Sequence, residues 1–445
     1  MLKVNSKEVK KGDTFLALRG INLDGHDYIE DAINNGATKI ICEKGDYSVD
    51  TIIVSDTREY LSRYLKEKID ISNIIMIGIT GTNGKTTSSY LTYQLLNSLG
   101  TKTAYIGTIG FYIDEKIKDL NNTTPDLYDL YMMFKECIEN NVEVIVMEVS
   151  SHSLSMDRLL GIDFDIGVFT NLTIDHLDYH NTMEEYKKEK QKLFNKLKGK
   201  RYAIINSDSE YYKDFMFEDN TNITYGLNGD YKIDILDLNF DGSIFKVNGE
   251  KILLNIPSKY NIYNYLIPYI IADKLSFKKE EIIAKTKYLV SPSGRYDTIK
   301  YNSNNIVIDY AHTPDAVLNI LNSVCDFKKN KVITIVGCGG NRDKSKRKIM
   351  GDIATDLSDY VIFTNDNPRY ENEKDIMNDI TSDLSRSNYE IIYDRYSAIV
   401  KGINLLTEND ILLILGKGHE TYQIIGDTKL HFDDKEVVLN YINMI

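Results

Sequence analysis

The 445-residue chain contains no tryptophan and only four cysteines, and no run of apolar residues approaches the roughly 18 needed to cross a membrane. Each absence excludes something. Cys42, Cys137, Cys325 and Cys338 are scattered with no CxxC pair, which rules out a disulfide framework or a cysteine zinc site and predicts reduced cytosolic thiols. The opening MLKVNSKEVKKG lacks the apolar core of a signal peptide, so the expected location is the cytoplasm, with no membrane partner. Cations are outnumbered, 53 Lys and Arg against 66 Asp and Glu, for a net charge of −13. That balance argues against general nucleic-acid binding and gives weight to each Lys or Arg inside a motif. Tyr, Ile, Asn and Lys abound where Trp is missing, a bias that suggests an A/T-rich genome and warns against reading much into one Arg-to-Lys difference. There are no internal repeats or low-complexity tracts. What remains is length enough for about three domains of roughly 150 residues.

Residues 73–87, NIIMIGITGTNGKTT, organise the rest. Ile74 to Ile79 is a β-branched apolar run and reads as a buried parallel strand. Gly81 to Thr87 then leads into Leu91, Leu95, Leu96 and Leu99, a helical spacing that stops at Gly100. A bare G-x-x-G-K-T is as readily a surface turn, and Ile79 stands where the strict Walker spacing has glycine. The strand before and the helix after select a phosphate cradle. Backbone N–H groups of Thr82, Asn83 and Gly84 through Thr87 would face phosphate oxygens, Lys85 would reach the outer phosphates, and the Thr86 hydroxyl would ligate Mg²⁺.

Taken in order, residues 1–70 form a small α/β unit, with strands at Thr14–Leu18 and Ala37–Cys42 and a helix entered through Asp24-Gly25-His26. Residues 71–297 form the nucleotide unit, with further strands at Thr103–Ile109, Val142–Met147 and Ile166–Phe169. Glu148 ends one of these strands, where a carboxylate beside a P-loop strand holds Mg²⁺; a solvated strand end is the plain alternative. The loop Thr170 to His180 is dense in groups able to bind metal or donate hydrogen bonds. A capping box, Thr182-x-x-Glu185, opens a helix whose buried stripe is Met183, Tyr186, Leu193 and Leu197. Lys190 falls on that stripe. It must snorkel out or be neutralised, or else be carbamylated by CO₂ into an anion able to coordinate Mg²⁺. Asn206–Tyr260 alternates like a small antiparallel region, a helix follows near Asn261–Leu275, and Ser291 to Arg295 reads as a hinge.

Residues 298–445 alternate strand and helix in a Rossmann-like order, with strands at Ile306–Asp309, Val332–Gly337, Tyr360–Thr364, Ile391–Tyr393 and Ile411–Leu415. No G-x-G-x-x-G follows a strand, so no dinucleotide is inferred. Four polar or glycine-rich loops instead leave the strand ends, at residues 309–315, 337–343, 366–369 and 416–420, where open α/β sheets bind ligands.

TGTNGKTT, NTTPD, EVSSHSL, TNLTIDHLDYH, Lys190, DYAHTPDAV, GCGGNRD, DNPR and GKGHE occur in this order over nearly the whole chain. The set closely resembles the Mur ligases, of the MurE type that adds the third residue of the peptidoglycan stem peptide. The resemblance implies an α/β three-domain architecture: an N-terminal UDP-binding domain, here shortened, a central P-loop ATPase domain and a C-terminal Rossmann-like domain. It implies an ATP-dependent ligase acting on UDP-MurNAc-L-Ala-D-Glu and a diamino acid through an acyl phosphate, and a monomer. By resemblance Lys85, Glu148, His176 and Lys190 are catalytic, and Thr86, Glu148, His176 and carbamylated Lys190 serve Mg²⁺. Asn264, Arg295 and Asp309 join Thr82 to Thr87 around ATP. Ser6, Thr123, Thr124, Ser150 and Arg158 would contact the UDP substrate, and Arg342, Asn367, Arg369, Gly416 and Glu420 the amino acid. About twenty residues fewer precede Asn5-Ser6-Lys7 than ordinary domain sizes in the family would give. Lys7 replaces an Arg, and Met156 stands where many relatives have Gln. A paralogous ligase acting on a different carboxylate is the alternative. The arginine of Asp366-Asn367-Pro368-Arg369 favours meso-diaminopimelate over lysine, because a planar two-pronged cation selects the additional carboxylate.

Overall fold

A computed structural model describes residues 1–20 and 23–444 and all their side chains but that of Asp178, so this acid of the 170–180 loop lies outside the described groups. Three α/β sheets follow one another along the chain. The first has four parallel strands in sequence order, Leu2–Lys3, Thr14–Leu16, Lys39–Cys42 and Asp50–Ile53. The helix Thr57–Lys68 closes it, its first turn capped by Asp56 accepting from the amides of Arg58 and Glu59. Arg58 also bonds Asp126 at 3.0 Å, tying this unit to the next.

The second sheet has eleven strands, with the P-loop strand Ile75–Thr80 between Val144–Glu148 and Phe164–Phe169, both parallel to it. All three are nearly fully buried, which is why they read as continuous apolar runs. Their C-terminal ends therefore deliver the P-loop, the Glu148 turn and the Thr170 loop to one edge. The helix Lys85–Ser98 buries Leu91, Leu95 and Leu96 against the long helix Lys259–Lys274 in a core shared with Tyr265, Tyr269 and Ile270. The expected antiparallel region from Asn206 to Tyr260 is corrected. Leu197–Asn206 and Thr221–Gly226 extend the parallel sheet, and only Tyr231–Asn239, Gly242–Val247 and Glu250–Leu254 pair antiparallel. Alternation reports which face a side chain takes, not the direction of the neighbouring strand.

The third sheet runs Asp297–Tyr301, Asn304–Asp309, Ile411–Leu415, Val332–Val336, Tyr360–Phe363 and Tyr389–Ile391, parallel except for its first pair. The strand expected at Ile391–Tyr393 sits two residues earlier, because Asp394 is taken as the N-cap of the helix Arg395–Asn404 and the chain must already be turning. The four loops named above all leave C-terminal strand ends of this sheet. A hairpin, Tyr422–Ile425 with Thr428–His431, packs beside the Arg369 loop through a bridge between Arg369 and Ile425.

Candidate active site

The P-loop is shaped by the strand beside it. Thr170 donates to the Asn83 carbonyl at 2.6 Å, the Asn171 side chain accepts from the Asn83 amide at 2.9 Å, and the Thr82 amide reaches the Asn171 carbonyl. Gly81 and Gly84 have φ of +149° and +85°. A Cβ at Gly81 would lie 1.8 Å from Thr170 Oγ1, so glycine is required there twice over. Ile79 needs no glycine because it is still strand, paired with Glu148.

Two lysines meet inside this loop. Lys85 Nζ donates to the carbonyls of Gly81 and Thr82 at 2.9 Å each, and Lys190 Nζ donates to the same Gly81 carbonyl at 2.8 Å. Lys190 does not snorkel: it is 1% exposed, with its nitrogen 4.3 Å from the centre of the Tyr186 ring. Burial, and then the charge of Lys85, push its pKa well below the usual lysine range. Burial likewise lowers Lys85, against the pull of Glu148 and Asp175.

Glu148 is fully buried and is no solvated strand end. Its Oε1 accepts from Tyr105 at 2.5 Å and the Thr108 amide at 2.8 Å, and its Oε2 from Thr86 at 2.9 Å and the Thr108 hydroxyl at 3.1 Å. Four donors hold the carboxylate against the P-loop hydroxyl with no lysine or arginine bonded to it. A hard-oxygen pair of this kind suits Mg²⁺, which takes one or two protein oxygens and completes its shell from phosphates and water. Among the described residues no group of three or more His, Cys, Asp or Glu is close enough to hold a metal unaided. His176 stands at the start of the short helix Leu177–His180, with its ring 4.8 Å from that of His152. Burial lowers its pKa against the pull of Asp175, which favours the neutral, ligating imidazole.

Thr123, Thr124, Ser150 and Arg158 do converge, on the far side of Glu148. Thr123 and Thr108 hydroxyls lie 3.1 Å apart, Thr124 donates to the Glu148 carbonyl at 2.8 Å, the Ser150 amide donates to Thr124 at 3.1 Å, and Arg158 donates to the Thr124 carbonyl at 2.9 Å. Arg158 also meets Met156 Sδ at 3.2 Å, and its Nε has no partner among the described residues. Ser6 stands apart in the first unit, where its carbonyl accepts from Asn35 and no hydrogen bond joins it to this group. His26 is occupied locally, with Nδ1 bonded to Asp24 and Nε2 accepting from the Glu43 amide.

Between the second and third sheets lies a cavity of about 640 Å³ bordered by Asn83, Gly84, Thr87, Asn264, Arg295 and Asp309. Its size falls within the roughly 300–1,000 Å³ of small-molecule sites. Arg295 donates to Thr86 Oγ1 at 3.3 Å and lies over the Tyr310 ring at 4.5 Å, so one guanidinium touches both the P-loop and a loop of the third sheet. Asp309 accepts from the Tyr296 and Ala311 amides at 2.7 and 2.8 Å, while burial raises its pKa. Asn83 crosses the same junction to Asp315 at 2.7 Å.

The remaining loops form a second centre. Asn367 donates to Glu420 at 2.8 Å, and its Oδ1 accepts from the Ile424 amide at 2.9 Å. Lys417, fully buried, bonds Glu420 at 3.1 Å and the Tyr422 carbonyl. Burial, and then Asp366, raise the pKa of Glu420. Arg369 adopts φ +53° and donates to the Gly340 carbonyl at 3.0 Å. Arg342 is exposed and brackets Gly339 with Arg369: a Cβ at Gly339 would lie 3.0 Å from an Arg369 nitrogen and 3.7 Å from Arg342 Cγ. Gly416 has φ +111° and faces Asp366. The sequence reading missed Tyr105, Thr108, Asp315, Asp366 and Lys417 as members of the site. The last three lie inside motifs already singled out, and a lysine between the two glycines of Gly416-Lys417-Gly418 was the signal available.

The fold and site define a multidomain P-loop protein whose nucleotide cradle faces an arginine-bearing loop cluster across a domain junction. The chain belongs to the Mur ligase family. It matches "Mur ligase family, catalytic domain" over residues 1–75, "Mur ligase middle domain" over 79–272 and "Mur ligase, glutamate ligase domain" over 294–418. A relative in Clostridium perfringens, named UDP-N-acetylmuramoyl-L-alanyl-D-glutamate–2,6-diaminopimelate ligase, is 43% identical over 99% of this chain and 94% of its own. A solved structure of a ligase of that name is 31% identical with a TM-score of 0.70, covering 100% of this chain and 94% of that one. The MurF ligase of Thermotoga maritima, solved in complex with ADP, shares the fold at a TM-score of 0.69, 19% identity and coverage of 100% and 97%. The expected three-domain Mur architecture is thereby borne out.

Proposed function

We propose that the protein uses ATP to join meso-diaminopimelate to the terminal carboxylate of UDP-MurNAc-L-Ala-D-Glu, a step of peptidoglycan precursor synthesis. The observation that carries this reading is Arg295, bonded to Thr86 of the phosphate cradle and laid over Tyr310 of the third sheet. Tyr310 in turn lies 4.9 Å ring to ring from His419 of the 416–420 loop, so nucleotide and acceptor loops share one junction, as transfer of an activated carboxylate to an amine requires.

In this reading the amides of Thr82 to Thr87 and Lys85 hold the ATP phosphates, while Asn264, Arg295 and Asp309 border the nucleotide. Bound Mg²⁺ would neutralise charge on the phosphoryl oxygens, and Thr86 and Glu148 would hold it, with His176 and carbamylated Lys190 in support. Thr123, Thr124, Ser150 and Arg158 orient the dipeptide carboxylate toward the cradle, and Ser6 meets the uridine diphosphate. The carboxylate oxygen attacks the γ-phosphorus and ADP leaves. The amine, aligned by Asn367 and Glu420 with the far carboxylate on Arg342 and Arg369 beside Gly416, then attacks the acyl phosphate and expels phosphate. Alignment and charge neutralisation supply the rate. The working units are residues 1–70, 71–297 and 298–445. No helix among the described residues is long and apolar enough to cross a membrane. A cytoplasmic monomer with no nucleic-acid partner completes the reading. Substrate labelled with ¹⁸O in the reacting carboxylate should pass one label into the released phosphate. Unlabelled phosphate would contradict the acyl-phosphate route.

A further inference from the structure

Arg342 and Arg369 sit on two different loops, and selecting a ligand by a carboxylate requires those loops to keep a fixed separation. Direct bonds between them are few: the Gly340 amide donates to the Asn367 carbonyl at 2.9 Å, the Tyr370 amide to Asn341 Oδ1 at 3.1 Å, and Arg369 to the Gly340 carbonyl. Both loops carry a non-glycine residue at positive φ, Asn341 at +52° and Arg369 at +53°. Such backbone persists only where its surroundings over-determine it.

The hairpin holds the Arg369 backbone, whose amide donates to the Ile424 carbonyl at 3.0 Å and whose carbonyl accepts from the Gly426 amide at 2.8 Å. What ties the two loops to each other is Arg347, in the helix Ser345–Leu357, whose side chain is fully buried. Its two terminal nitrogens take both oxygens of Glu371 at 2.8 Å each, and they also reach the Gly339 carbonyl at 3.1 Å and Asp379 at 2.8 Å. Glu371 in turn accepts from the Asn341 amide at 2.9 Å, and Lys344 pairs with it at 2.8 Å. One guanidinium–carboxylate fork therefore grips the Gly339–Asn341 loop and the chain two residues beyond Arg369. It also occupies Glu371, an acid two residues beyond Arg369 in the chain. A Glu371 released from Arg347 would be free to pair with Arg369 or Arg342 and quench the cations meant for a ligand.

We propose that Arg347 and Glu371 are positioning residues that set the spacing of the Arg342 and Arg369 guanidiniums, and with it the selection of an amino acid by its far-end carboxylate. The inference rests on the acceptor reading above. A lysine at 347 keeps the charge but not the fork, so it would restore the brace only in part.

The test is steady-state kinetics of Glu371→Gln with the full chain, Mg²⁺ and ATP, using diaminopimelate and lysine as separate acceptors. The KM for diaminopimelate should rise about tenfold or more, as expected for guiding groups displaced by a fraction of an ångström. The preference for diaminopimelate over lysine should fall by a similar factor, with the KM values for ATP and the UDP substrate unmoved. Arg347→Lys should shift the same two quantities less far. A folded Glu371→Gln with an unchanged diaminopimelate KM overturns the proposal alone, as does a parallel rise in all three KM values, which marks a purely structural pair. Failure of both variants to melt cooperatively overturns it on the same ground. A wild-type enzyme that does not discriminate overturns the acceptor reading first.

Discussion

Replacing Lys190 by alanine removes a charge centre whose protonation state follows from its position. Lys85 and Lys190 reach the same Gly81 carbonyl, at 2.9 and 2.8 Å. Two ammonium ions so placed would repel by about 4 kcal/mol at ~4 Å and an effective dielectric near 20. An unpaired ion with 1% exposure would pay several kcal/mol more in lost hydration. Burial and then the charge of Lys85, against the pull of Asp175, thus favour the neutral amine of Lys190. That amine can attack CO₂, form the N–C bond and release a proton to solvent. The carbamate so formed would be an anion beside Lys85, changing the pair from repulsive to attractive. Loss of one such fixed charge costs about 10²–10³ in kcat. Initial rates at saturating substrates should show that loss in Lys190→Ala, with partial rescue by a short carboxylic acid. In ¹³C-bicarbonate the wild type should give a carbamate carbon signal that Lys190→Met lacks. Lys190→Ala working within about threefold of wild type would refute the reasoning, since the catalytic term invoked is far larger.

Glu148→Gln should lower kcat about 10²–10³-fold while metal-free ATP binding, read by calorimetry, changes little. Arg369→Ala should cost about 2–5 kcal/mol in diaminopimelate recognition, seen as a KM rise of roughly thirtyfold or more, with ATP binding untouched. Hydrogen bonds from Arg347 hold the pKa of Glu371 below the usual carboxylate range, so the unfolded state binds the proton more readily. The stability this pair contributes is full above the ordinary Glu pKa of about 4.3 and fades as pH falls through and below it. Denaturant unfolding of Glu371→Gln should thus show a deficit of about 3 kcal/mol at pH 7 that shrinks toward pH 3, and a constant deficit would contradict this.

The phosphate cradle was readable because strand, glycine turn and helix are contiguous, and the strand-end loops because each carries its own polar signature. The stripe that buries Lys190 was readable too. Its inward direction was not, since periodicity places a side chain on a face without saying what that face meets. Arg347 left no trace in the sequence: its partners Glu371 and Asp379 lie 24 and 32 residues away, and Lys-rich helix starts are ordinary. Tyr105 was hidden for a similar reason, as a strand tyrosine whose value comes only from the Glu148 carboxylate on the adjacent strand. The direction of Thr221–Gly226 was lost because parallel and antiparallel neighbours impose the same alternation.

Selection of the amino acid by an arginine-lined acceptor site is the central claim, and a competition assay addresses it directly. Purified protein is given Mg²⁺, ATP, UDP-MurNAc-L-Ala-D-Glu and equal concentrations of meso-diaminopimelate and lysine, and the products are weighed by mass spectrometry. The diaminopimelate tripeptide should exceed the lysine product by about thirtyfold, the factor a lost carboxylate–arginine pair implies. Comparable amounts of the lysine product would contradict the claim.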